Sequence, residues 1–121
     1  MKDDKPPLYT LLSEHLSWTF DRTAGFPKSH RFTVGQRLDN LMLDSLERCL
    51  EALYTTAENK RQPLQSLNLN LEKLRVFWRI AHQQRWISQQ QLFFAVSKID
   101  EIGRMTGAWI KSLPTEKRRH P

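Results

Sequence analysis

Apolar residues recur along this chain at three- and four-residue intervals, the spacing that lines one side of an α-helix. Four such runs can be traced. Leu8, Leu12, Leu16 and Thr19 make the first, over about Leu8 to Thr23, with Tyr9 and Phe20 on its flanks. The second carries Leu38, Leu41, Met42, Ser45, Leu46, Cys49, Leu50 and Leu53 and extends to about Ala57. It opens on Thr33-x-x-Gln36, a capping-box pattern in which each side chain answers an orphan amide of the first turn. Leu67, Leu71, Leu74, Phe77, Trp78 and Ala81 form the third run. The fourth starts on another capping box, Ser88-x-x-Gln91, and repeats Leu92, Val96, Ile99, Gly103, Thr106 and Ile110 until Pro114 stops it. Short breaks separate the runs: G-F-P-K-S-H-R-F from Gly25 to Phe32, E-N-K-R-Q-P from Glu58 to Pro63, and Gln83 to Ile87. Four helices on short connections predict an all-α fold, an antiparallel up-down-up-down four-helix bundle over residues 8–113. Residues 1–7 and the basic segment 114–121 fall outside it as expected disordered ends.

Two helices carry more apolar surface than a lone bundle uses. In the fourth run Phe94, Ile102, Met105 and Trp109 form a second stripe beside the seam, and in the third Val76 and Ile80 point away from the main face. A surface helix normally has one stripe a little over 100° wide. Single exposed apolar residues are ordinary, but a contiguous second stripe marks an interface. These six residues are the expected subunit contacts of a homo-oligomer, and a closed ring would multiply the charge of each subunit. Gly103 and Gly107, four apart in the fourth helix, each cost that helix roughly 1 kcal/mol relative to alanine. Both fall in or beside the inner seam, where the missing side chains are expected to admit a neighbouring backbone or a large ring such as Trp18 or Trp78. A membrane-type G-x-x-x-G contact does not fit a helix that carries Arg104 and Lys111.

Composition narrows the class. The chain has 121 residues, enough for one domain, with only four glycines and six prolines. Its single cysteine, Cys49, excludes an internal disulfide and fits a reducing compartment. No apolar run approaches the ~18 residues of a membrane span, and M-K-D-D-K-P-P is not a signal peptide, so a cytoplasmic protein is expected. A formal net charge of +6 points to an anionic partner, most commonly a phosphate backbone. Arg75, Arg79 and His82 share a narrow sector of the third helix, with Trp86 continuing their line. Lys28, His30 and Arg31 cluster in the first connection, followed by Arg37; Lys98, Arg104 and Lys111 lie on the fourth helix, and Lys117, Arg118 and Arg119 in the tail. Guanidinium groups pair bidentately with phosphate, and an aromatic ring such as Trp86 can stack on unpaired bases. Arg75, Arg79, His82, Lys28, Arg31 and Arg37 are therefore the candidate nucleic-acid-binding residues. The plainer use of the same side chains is pairing within the chain, Arg75 or Arg79 with Glu72, or an arginine with Asp39.

Catalytic and metal-binding patterns are missing. His15, His30, His82 and His120 show no ligand spacing of the H-x-x-x-H kind, and no E-x-x-H pair of a di-iron bundle occurs. Cys49 reads as a core filler. Asp100 and Glu101 are adjacent, so they point about 100° apart and cannot act together. No catalytic residue, cofactor, metal or small-molecule substrate is expected.

The stretch F-W-R-I-A (Phe77 to Ala81), the turn to Ile87 and Ser88, and the helix D-E-I-G-R-M-T-G-A-W-I-K (Asp100 to Lys111) resemble the accessory variability proteins of diversity-generating retroelements. The F-P-K-S-H-R-F connection followed by Gly35-Gln36-Arg37 is similar to the same family. The chain also resembles the related four-helix proteins encoded within intervening sequences of bacterial large-subunit ribosomal RNA. The resemblance spans about Leu8 to Leu113. Thr106 stands where the family usually has a bulkier residue and Ala108 where it has Gly or Ser, and both branches remain open. What the resemblance implies is a four-helix bundle assembled into a pentameric ring. That ring would bind a reverse transcriptase and RNA or DNA through a basic surface and support mutagenic retrohoming without chemistry of its own. The alternative is a stand-alone bundle associated with RNA or the ribosome.

Overall fold

A computed structural model describes residues 6–115. Four long helices carry the chain: α1 (Pro7–Thr23), α2 (Gln36–Tyr54), α3 (Arg61–Gln83) and α4 (Gln89–Ser112). Each packs broadly on the next, and α4 returns to α1 through a thinner contact. Neighbours run antiparallel. Thr23 at the end of α1 bonds Asp39 near the start of α2, Asn70 of α3 reaches back to Asp44 and Ser45 of α2, and Arg75 of α3 meets Asp100 of α4. The result is the four-helix bundle that the periodicity predicts.

Local chemistry sets the helix ends, with two departures from expectation. The Ser88 box forms in full: Gln91 N donates to Ser88 Oγ at 3.1 Å, and Ser88 N donates to Gln91 Oε1 at 2.9 Å. The expected box at Thr33 does not form. Lys28–His30 make one helical turn and Arg31–Gly35 continue it as a wide π turn straight into α2. Upstream carbonyls already serve the first amides of α2, so a cap has nothing to satisfy, and the Thr33 hydroxyl donates instead to His30 O at 3.2 Å. α3 also begins earlier than expected, at Arg61, with Pro63 in its first turn. A proline is tolerated there because its missing N–H is one the helix leaves unpaired in any case.

Leu12, Leu38, Met42, Leu67, Leu71, Leu74, Trp78, Ile99 and Ile102 are fully buried along the axis. The face that α4 turns inward is Ala95, Ile99, Ile102 and Thr106, rotated from the expected line through Val96, Gly103 and Ile110. Ile102 is therefore a core residue and takes no part in a subunit contact. The Gly103 flank lies instead against Leu71 and Arg75 of α3. Buried hydroxyls return their protons to carbonyls one turn earlier, Thr19 to His15, Ser45 to Leu41 and Thr106 to Ile102. Cys49 is fully buried, and burial alone pushes its thiol up to about 11, as suits an inert filler.

The two helix-4 glycines play unequal parts. A Cβ at Gly103 would lie 3.5 Å from Arg75 Nη2 and 3.6 Å from Leu71 Cδ1, whereas one at Gly107 would meet nothing within 4 Å. Neither glycine admits Trp18 or Trp78, and only Gly103 is a close packing position. Among the described residues no helix is long and apolar enough to cross a membrane.

Candidate nucleic-acid interface

Two connections meet at one end of the bundle. α3 closes with Arg85 N donating to His82 O and Trp86 N to Ala81 O, both at 2.9 Å, which is the Schellman pattern. That pattern puts Arg85 at φ 66°, the left-handed region usually left to glycine. The turn delivers Trp86 onto the first connection. Its ring centroid lies 4.7 Å from His30 and 5.1 Å from Phe26, and the fully buried Phe26 stands edge-on to Trp78 at 6.3 Å. Stacked rings thus pin the segment after α1 to the segment after α3.

The pinning gathers charge. Lys28, His30, Arg31, Arg37, Arg79 and Arg85 are exposed and His82 is half-buried. No carboxylate pairs with any of them among the described residues; Arg31 donates to Phe26 O at 3.3 Å. Asp39 is the nearby acid, but it does not fix an arginine. It accepts the Thr23 hydroxyl at 2.7 Å, and burial raises its carboxyl above the ordinary value while that hydrogen bond opposes the rise. Five of the six sequence candidates, Lys28, Arg31, Arg37, Arg79 and His82, therefore belong to one end.

Arg75 stands apart from them. Its Nε and Nη2 donate to Asp100 Oδ1 at 3.1 and 2.8 Å, and its Nη1 donates to Glu72 Oε2 at 2.7 Å. With its side chain 18% exposed and two carboxylates against it, it has little charge left for a partner. Trp86, expected as a free stacking surface, is half-buried and already covered by Phe26 and His30. Lys117, Arg118, Arg119 and His120 lie outside the described residues.

The expected contact stripes also separate. Phe94 is 39% exposed and leans on Trp18 of α1 at 5.0 Å, with the Lys98 ammonium 5.6 Å from its ring. Met105 and Trp109 are half-buried against the core, and Lys60 lies 5.9 Å from the Trp109 ring. Val76 is half exposed and Ile80 half-buried, on the side of α3 opposite Leu71, Leu74 and Trp78. The pattern reading missed Leu69 and Phe93, exposed by 56% and 76%, and Phe32, exposed by 73% between two arginines. It also missed His15, fully enclosed and stacked on Trp18 at 5.3 Å, with no hydrogen-bond partner for either ring nitrogen among the described residues. Burial first, and the nearby Lys98 charge second, bring the His15 pKa down to about 4.

Among the described residues no three His, Cys, Asp or Glu side chains stand close enough together to hold a metal ion. Fold and surface define a helical scaffold that displays unpaired cations at one end. A family model described as bAvd-like matches residues 10–113, and the chain belongs to that family, one of accessory, non-catalytic proteins typified by the accessory variability determinant. No curated protein and no solved structure matches the chain.

Proposed function

We propose that the chain is the non-catalytic accessory subunit of a diversity-generating retroelement, binding nucleic acid through its cationic end and assisting a reverse transcriptase. One observation carries this reading: Lys28, Arg31, Arg37, Arg79, His82 and Arg85, from three segments, converge on one end with no acidic partner among the described residues, in a chain of this family. Guanidinium groups left unpaired in that way suit phosphate oxygens, and their field draws a polyanion at long range. The apolar residues that remain outside, Val76, Ile80 and Phe94 with Leu69 and Phe93, are the contacts of a closed homo-oligomer, a pentamer in this proposal. Met105 and Trp109 border that surface from within.

The test is a pair of measurements on the full chain. Native mass spectrometry should give a closed oligomer, and co-expression with a retroelement reverse transcriptase should give a complex that retains RNA. A monomer that binds neither RNA, DNA nor polymerase at low salt would end the proposal.

A further inference from the structure

We infer that the grooves on either side of Phe32 take up unpaired nucleotides, the base stacking on the Phe32 ring and the backbone following Lys28, Arg31 and Arg37. The inference rests on the reading that the cationic end holds nucleic acid, and it names the form of that ligand as a single strand.

Three observations converge here. First, Phe32 projects from the π turn Arg31–Gly35 with 73% of its surface exposed. Second, it divides two grooves. One, about 510 Å³, is lined by Phe32, Arg37 and Phe77; the other, about 430 Å³, by Phe32, Arg31, Phe20 and Leu43. Gln36 and Asn40 border both. Third, each groove has its own arginine with no carboxylate partner among the described residues, and Lys28 stands exposed one turn earlier.

That arrangement supplies what a single strand requires. An aromatic face is indifferent to base identity, flanking cations follow the phosphates, and side-chain amides can both donate to and accept from a base edge. A duplex has its base faces covered by its own stacking and gains nothing from Phe32. Charge selects this occupant over an uncharged apolar protein surface, which would leave Arg31 and Arg37 facing an apolar contact. Asp39, held by Thr23 inside the Arg31 groove, sets a negative charge where a base can enter and a phosphate cannot. The backbone is thereby kept to the rim.

The test is fluorescence anisotropy with the full chain and four labelled probes: an oligouridylate, an oligothymidylate, a duplex of the same strand length, and an abasic strand. Phe32 is exposed, so F32A should melt with the wild type. It should lose about tenfold in affinity for strands that carry bases, as expected for one stacked base, and nothing for the abasic strand or the duplex. F32W should bind as the wild type does. R31A/R37A should weaken all four probes, and the ratio of oligouridylate to oligothymidylate binding tells whether RNA or DNA is preferred. If R31A/R37A weakens binding while F32A leaves it unchanged on every probe, the stacking proposal is overturned and the phosphate reading stands. If no probe binds the wild type, both are overturned. If F32A keeps oligonucleotide affinity but releases the polymerase, Phe32 is a protein contact and the proposal is likewise overturned.

Discussion

Arg75 and the arginines of the cationic end belong to the same helix system, yet they have opposite electrostatic fates. Arg75 lies beside Gly103, its guanidinium reaches across to Asp100, and Glu72 takes the remaining edge. One turn further along α3, Arg79 meets no carboxylate among the described residues, and neither do Arg85 past the helix end and Arg31 and Arg37 across the aromatic stack. A cationic side chain acts on a distant partner only when its own structure has not already neutralised it. The difference is made by neighbours in space, since Asp100 is 25 positions from Arg75 in sequence.

The largest effect that calibrates this contrast falls on His15, a polar group enclosed with no partner among the described residues. Its pKa is about 4 in the folded chain, against an ordinary value of 6.5. As pH falls through 6.5 the unfolded chain takes up a proton that the folded chain refuses. Stability that is full above pH 6.5 should therefore drop by roughly 3 kcal/mol on approaching pH 4. Chemical denaturation across that range should show the fall, and H15L should flatten it; an identical curve for H15L would contradict the assignment.

Next in size is the Gly103 contact that seats Arg75. G103L should destabilise by about 1–3 kcal/mol because it drives a side chain into Leu71 and the guanidinium. G107L should cost nothing comparable, as its side chain enters open space. Equal losses of melting temperature would break the distinction between the two glycines.

Two smaller effects sharpen the comparison by moving stability and binding in opposite directions. D100A removes the principal partner of Arg75 and should cost up to about 1 kcal/mol, the pair being partly exposed. By freeing the guanidinium it should tighten nucleic-acid binding; weaker binding would show that Asp100 matters in some other way. R85G relieves a left-handed arginine and should stabilise the fold by about 1 kcal/mol, while losing a cation should weaken binding. A variant that gains affinity along with stability would remove Arg85 from the interface.

Much of the fold was legible because its signals are local. Heptad-like spacing and the Ser88-x-x-Gln91 box depend on residues within a turn or two of each other, and both correspond to the structure. The signals that misled were those whose meaning depends on a second helix. Thr33-x-x-Gln36 matches a cap, but a preceding π turn had already supplied the acceptors. Ile102 and Val96 lie about 120° apart on a helical projection, one on each side of Ile99, and which of the two faces the axis depends on how the neighbouring helices pack against α4. The cationic end was half legible. Its residues could be named from charge and spacing, but joining residues 28–37 to 79–85 requires the Trp86–His30–Phe26 stack, which no periodicity encodes. Phe32 carried a readable signal, an aromatic between Arg31 and Arg37 in a connection, that was absorbed into the break between helices.

The central claim is that charge reaches nucleic acid from the end of the bundle and not from the α3–α4 crossing. The salt dependence of oligonucleotide affinity tests it directly, because each neutralised phosphate contributes a fixed slope. R37A/R79A should reduce that slope by about 1.4–1.8, from 0.7–0.9 per contact, and R75A should leave it unchanged. A slope that falls with R75A and holds with R37A/R79A would contradict the account.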